Sequence, residues 1–285
     1  MKKIIIATFG TMIMLMLVGC NGTSNPASVT GSEGTDQEEI SEIIEQEMAE
    51  YFETDLALGE GSGLSKSAEE IETDGWFREI TSRSLHVDVE FPGDGTAFVT
   101  ATAQVEGILN LVVKDSSVTT IYEKPFADTI TRYALFKRLP AEEPRPPYRR
   151  WYLDSISFAD VVSTPVNSVD ILSVSVENLS SGYMQVFDDP AALLDRETEV
   201  PDFQPGEEVE LVITAASADL YAFLHTGRSR IPMTNNGDGT YSGVYTVGNQ
   251  VGPRFAAVDL LTGGTLYDTE APYDANAWGC LYRIR

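Results

Sequence analysis

The sequence predicts an α+β domain, helices packed on an antiparallel sheet, followed by an all-β sandwich. Three observations carry that reading. Apolar residues recur at helical spacing between residues 37 and 58. Long alternating strand regions follow from Trp76 to residue 163. After Ser163-Thr164-Pro165-Val166-Asn167 the pattern becomes short β-prone runs separated by turn residues. A helical segment leading into long strands is the α+β plan, and evenly spaced short strands are the sandwich plan.

Before either domain, the chain opens MKKIIIATFGTMIMLMLVGC. Lys2 and Lys3 form a short basic head, and an apolar run extends from Ile4 to Val18. That run is too short and wrongly flanked for a spanning helix, and it ends in small residues, as a secretory signal does. We read residues 1–19 as the signal. Residues 20–36 are polar, small and rich in Gly and Ser, the composition of a flexible tether.

The first domain is placed at residues 37–163. Thr35 and Glu38 are spaced as a capping box. Ile40, Ile43, Ile44, Met48, Tyr51 and Phe52 then mark one helix face to about Leu58, where Gly59, Gly61 and Gly63 break it. A second capping box, Ser67 to Glu70, predicts a short helix to about Thr73. SRSLHVDVEF alternates, with Leu85, Val87, Val89 and Phe91 on one face and His86, Asp88 and Glu90 on the other. Pro92-Gly93-Asp94-Gly95 is a turn signal. TAFVTATAQVEGILNLVV, FADTITRYALFKRLP and YRRWYLDSISFADVV are three further strand regions, with Gly107 a bulge or bend.

The second domain is placed at residues 164–285. Val174 and Val176, then Val209, Leu211 and Ile213, alternate as half-buried strands. LYAFLHT, TYSGVYTV, FAAVDLL and CLYRI follow with turns between them.

Three resemblances add to this. Leu17-Val18-Gly19-Cys20 resembles the lipobox of bacterial lipoproteins. It implies cleavage before Cys20, acylation there, export and anchorage at the cell envelope. Asn21 in place of Asp leans toward the outer membrane where there is one, otherwise the outer face of the cytoplasmic membrane. The element order of residues 37–163 resembles the cone-like fold of the nuclear transport factor 2 and SnoaL-like superfamily. That resemblance implies a curved sheet around a pocket and a homodimer through the open sheet face. Phe203-Gln204-Pro205-Gly206-Glu207 and Gly237-Asp238-Gly239-Thr240-Tyr241-Ser242-Gly243-Val244-Tyr245-Thr246-Val247 resemble the repeating pattern of bacterial immunoglobulin-like domains. It implies a spacer or adhesive module.

Charge excludes one class of partner. The net charge of −25 becomes −27 when Lys2 and Lys3 leave with the signal, and such a field repels nucleic acid. Residues 33–79 hold sixteen acids against Lys66 and Arg78. Arg132, Lys137, Arg138, Arg145, Arg149 and Arg150 form the opposite patch. The two regions either face one another or remain separate solvated faces. With Cys20 acylated, Cys280 is left alone in an apolar run, a small buried hydrophobe rather than a thiol nucleophile.

Chemical motifs are sparse. His86, Asp88 and Glu90 stand at two-residue steps, too far apart along a strand for all three to hold one metal. Trp76, Phe98, Tyr133 and Trp151 are candidate pocket aromatics, with His86 beside them. An isomerase-type site needs a carboxylate base and a phenol or protonated acid in an apolar pocket. Asp88, Asp128, Asp154, Tyr122 and Tyr133 supply the types, and no motif fixes a catalytic residue. Thr234 and Tyr245 fail a calcium loop at both ends. His225 has no identifiable acid partner and reads as structural. No cofactor or metal is expected. The expectation is a non-enzymatic binding or scaffold module taking a protein or small-molecule ligand. The alternative is an isomerase, hydratase or cyclase using a pocket in the α+β domain.

Overall fold

The computed structural model describes residues 33–47, 51–52, 73–115, 118–140, 150–227 and 229–285. The signal, Cys20, most of the tether and the short helix expected at 67–73 lie outside the described residues. Helix α1 (Glu33–Glu42) continues into a π-helical turn (Ile43–Glu47). Three long strands follow: β1 (Thr73–Gly93), β2 (Thr96–Asp115) and β3 (Val118–Arg138). After them come β4 (Trp151–Ile156), β5 (Ala159–Thr164), β6 (Ile171–Asn178), β7 (Tyr183–Phe187), β8 (Leu194–Asp195) and β9 (Asp202–Phe203). The chain ends with β10 (Glu208–Ala215), β11 (Leu220–Thr226), β12 (Ser229–Pro232), β13 (Thr234–Asn235), β14 (Thr240–Thr246), β15 (Gly252–Thr262), a short helix α2 (Gly263–Tyr267) and β16 (Ala275–Ile284).

This corrects the expected fold class. Among the described residues the chain is nearly all β, in two sheets that are antiparallel except for the short β9–β16 pair, and not an α+β domain with helices packed on a sheet. Among the described residues one sheet has 11 strands, with the path β1-β2-β3-β5-β16-β15-β11-β12. The other has five, in the order β13-β14-β10-β6-β7. The reason is long-range pairing. β5 pairs with β16 from Gly279↔Ala159 to Asn276↔Val162, so the last strand of the chain joins the sheet begun by β1. Such pairing has no local periodic signature.

The path curls until its ends approach. Arg230 Nη2 on β12 donates to the Trp76 carbonyl on β1 at 2.7 Å. The Trp76 ring meets Phe223 of β11 edge-on, with centroids 5.2 Å apart. The curl encloses a buried cluster including Trp76, Val105, Leu109, Phe126, Ile130, Val161 and Leu261. The outward faces of β16, β15 and β11 carry Trp278, Cys280, Val258, Leu260 and Leu224. These belong to a second cluster with Val174, Val176, Leu211 and Ile213 of the five-stranded sheet. β16 is therefore buried at all ten positions, covered on both faces.

Local rules place the strands. Gly93 and Gly95 take φ of +109° and +69° at the β1–β2 turn, where a side chain would be strained. A register shift falls between Ile80 and Ser82, opposite Gly107 and Glu106, so the expected irregularity at Gly107 has its extra residue, Thr81, on the partner strand. The shift exchanges the faces of β1. Trp76 and Arg78 are buried before it, and Val87, Val89 and Phe91 pack toward the core after it, while Leu85 is exposed. A Cβ on Gly107 would lie 2.3 Å from the Glu79 carbonyl and 2.6 Å from the Phe126 ring.

Helix α1 is short, but its apolar positions and those of the π-helical turn after it are used. Ile40, Ile43 and Ile44 are buried in the same cluster as Ala97, Val99, Phe136 and Trp151. Part of the acidic region meets part of the basic patch here. Arg150 reaches Asp36 at 2.7 Å and Glu39 at 3.1 Å, and Arg138 reaches Asp36 at 3.3 Å. Helix α2 is held at its C-terminal end by Lys124 of β3. The ammonium donates to the carbonyls of Gly264 (2.7 Å), Thr265 (2.9 Å) and the C-cap residue Asp268, where the helix end carries partial negative charge.

Candidate functional site

The densest titratable chemistry lies inside the curl. β1 contributes Arg78, two residues after Trp76 on the same face. β3 contributes Asp128, β11 His225, β15 Asp259, and the segment before β16 Tyr273. All five are at most 4% exposed. Arg78 Nη1 donates to Asp259 Oδ2 at 2.9 Å, and Nη2 donates to the Tyr273 hydroxyl at 2.7 Å. Tyr273 in turn donates to Asp128 Oδ2 at 3.3 Å. His225 Nε2 stands 3.3 Å from Asp259 Oδ2. The Arg230 guanidinium lies 3.6 Å from the Trp76 ring centroid, a cation–π contact that closes the cluster.

Burial and charge set each protonation state. Burial alone would raise the Asp259 carboxyl, but Arg78 and His225 outweigh it and hold it down at about 2. Burial dominates at Asp128, which rises to about 6 against the opposing pull of Arg78. Burial pushes His225 down, and Arg78 and Arg230 add to that, so the ring is neutral at neutral pH. An ionised Asp259 accepts only, so the proton sits on His225 Nε2. Nδ1 of His225 and Oδ1 of Asp128 then have no hydrogen-bond partner among the described residues. Burial also drives the Tyr273 hydroxyl well above the usual phenol range.

These are the parts of an acid–base site: a carboxyl titrating near neutrality, a phenol, and an imidazole oriented by a carboxylate. Among the described residues, the aromatic and aliphatic side chains of the curl surround them, and each is at most 4% exposed. A solvent-facing cavity of about 480 Å³ lies elsewhere, lined by Leu220, Tyr221, Phe223, Met233, Asn235 and Tyr241 among others. Two of its polar side chains are occupied in holding a turn. Tyr241 donates to the Ala218 carbonyl at 2.7 Å and accepts from the Leu220 amide at 3.1 Å. Asn235 Nδ2 also donates to Ala218, at 3.1 Å.

The aromatic candidates named from sequence do not converge. Trp76 is inside the curl. Trp151 is buried in the other cluster, tilted against Phe91 at 5.8 Å. Tyr133 stacks on Phe98 at 5.8 Å, on the side of the sheet opposite Phe136 and Trp151. His86 is exposed and pairs with Asp88 at 3.1 Å. Asp154 is paired with Lys137 at 2.8 Å. Of the carboxylates and phenols that could serve an isomerase-type site, Asp128 alone enters the buried cluster. Its phenol is Tyr273, which sequence reasoning did not single out. His225 does have an acid partner, Asp259, contrary to expectation. Asp259 is a lone acid inside the apolar run FAAVDLLT, and that was the readable signal. Cys280 is buried, and burial drives its thiol up, away from nucleophilic character.

Among the described residues no group of three His, Cys, Asp or Glu side chains is placed to hold a metal, and no helix is long and apolar enough to cross a membrane. In comparisons with known proteins, no family model matches the chain, and no curated protein sequence matches it.

Proposed function

We propose that this protein is a lipid-tethered, extracytoplasmic binding or scaffold module that performs no chemistry of its own. The lipobox-like Leu17-Val18-Gly19-Cys20 supports the tether. Two acyl chains anchor stably, and the polar segment after Cys20 lets the β structure stand clear of the lipid. The burial of the acid–base cluster among the described residues supports the non-enzymatic half. Arg78, Asp128, His225, Asp259 and Tyr273 are at most 4% exposed, so they brace the curl instead of meeting a substrate.

The competing reading is an isomerase-, hydratase- or cyclase-type enzyme. It rests on Asp128, raised to about 6, beside the Tyr273 hydroxyl. Carbodiimide coupling to native protein separates the two. The module reading expects surface carboxylates to couple while Asp128 and Asp259 do not. Coupling at Asp128 in the folded protein means that small molecules enter the curl, and the enzyme reading replaces it. The anchor is tested by metabolic labelling with an alkyne fatty acid. Label and membrane fractionation are expected in the parent chain and absent in Cys20→Ser. Equal labelling of both removes the tether.

A further inference from the structure

The two edges of the five-stranded sheet are unlike. One edge, β13, is two residues long, polar, and turns at once into Asn236-Gly237-Asp238-Gly239. The other, β7, reads Tyr183-Met184-Gln185-Val186-Phe187. It has no charge and no proline, pairs with β6 over five residues without a register shift, and pairs with nothing else among the described residues. Its outward side chains are open, with Met184 at 63% and Val186 at 57% exposure. Edge strands are ordinarily guarded by charge, proline, a bulge or shortness, and β7 has none of these.

The face beside that edge says what would fit. Cross-strand neighbours run Met184, Glu177, Glu210, Val244. Glu177 and Glu210 are directly opposite, a repulsive arrangement on a sheet. Neither makes an ion pair among the described residues. Glu208 extends the same face, and Asp188 and Asp189 follow β7 directly. No strand of this sheet contains Lys, Arg or His.

We propose that β7 is a docking edge for an extended polypeptide segment that alternates basic and apolar residues and adds a sixth strand to this sheet. The assignment rests on the binding-module reading and names its partner's chemistry. Main-chain hydrogen bonds to β7 supply affinity. Side chains alternate along the added strand. Its outward set, lysine or arginine, crosses Met184 and Val186 toward Glu177, Glu210 and Asp188. Its inward set continues the layer of Phe187. A second copy of the chain is a poor occupant, because two surfaces of this net charge repel.

The purified full chain is titrated with a short peptide alternating Lys and Val, and with one alternating Glu and Val, while amide hydrogen exchange maps the contact. The Lys–Val peptide is expected to bind and to slow exchange within residues 183–187 about tenfold or more, with the Glu–Val peptide at least about tenfold weaker. Met184→Lys and Val186→Lys, both at exposed positions, are expected to abolish binding without unfolding the chain. Glu177→Gln with Glu210→Gln should weaken it and flatten its salt dependence. Equal binding of both peptides, no binding of either, or protection away from β7 overturns the proposal. Protection of β7 that grows with protein concentration alone gives the edge to a second copy and overturns it as well. Acylation of Cys20 is read independently, so loss of the tether and loss of the docking edge are separate results.

Discussion

The two faces of β15 solve burial in opposite ways. Val258 and Leu260 enter the apolar layer shared with the five-stranded sheet, while Asp259 between them enters the curl and pairs with Arg78. The apolar face tolerates approximate complementarity, since hydrophobic packing is not directional. The charged face does not. A one-residue slip of β15 would turn Asp259 into the apolar layer and Val258 toward Arg78, leaving two buried charges unpaired. The network therefore penalises the wrong register of a sheet whose partners are far apart in sequence, Arg78 and Asp259 being separated by 181 positions.

The sharpest way to break the comparison is to remove one charge. We predict that Arg78→Met costs about 3–5 kcal/mol in urea unfolding, because Asp259 is left buried without its cation. Adding Asp259→Leu should recover most of that loss, since apolar replacement of a whole buried pair is close to neutral. On the other face, Leu211→Ala costs about 2–5 kcal/mol by leaving a cavity, and no second deletion restores it. If the double variant is no more stable than Arg78→Met alone, the pair is not the unit that closes the curl.

The two carboxyls of the network sharpen the contrast through pH. Asp259 lies below its ordinary value, at about 2, so its contribution is present above the unfolded value and lost as pH falls through about 2. Asp128 lies above its ordinary value, at about 6, so its contribution is present below about 4 and lost as pH rises through about 6. The curl is thus squeezed from both sides. Asp128→Asn keeps an acceptor for Tyr273 and removes the upper limit. We expect it to be about 2–3 kcal/mol more stable than the parent at pH 8 and close to it at pH 4. An identical pH dependence in the two proteins would place the titration elsewhere.

These features show what the sequence could reveal. Alternation in β6 and β10 marks the inward residues Val174, Val176, Val209, Leu211 and Ile213, because each strand has one dry face and one wet face. The Pro92–Gly95 turn was legible for the same local reason. The fold class was not, because the pairing of β5 with β16 depends on residues more than a hundred positions apart. Of the helix expected from residue 37 to about Leu58, the described part is helical to Glu47, yet the long strands and their distant partners decide the architecture. The buried network was half legible: Arg78 within WFREI and Asp259 within AVDLL are charges inside apolar strands, but nothing local says that they meet.

Helix α1 offers the mildest test, where ion pairs sit at the surface instead of inside. Asp36 is buried at 4%, but the Arg138 and Arg150 side chains that hold it are 37% and 42% exposed. Water screens such pairs, so each is worth little compared with Arg78–Asp259. Apolar contact through Ile40, Ile43 and Ile44 holds the helix independently. We therefore predict that Asp36→Asn costs only about 1 kcal/mol. Its effect should be local, faster amide exchange in α1 with no change in β1–β3, and it should shrink as salt is raised. A loss as large as that of Arg78→Met would mean that the acidic helix closes the structure as firmly as the interior network does, and the contrast between surface and buried charge would fail in this protein.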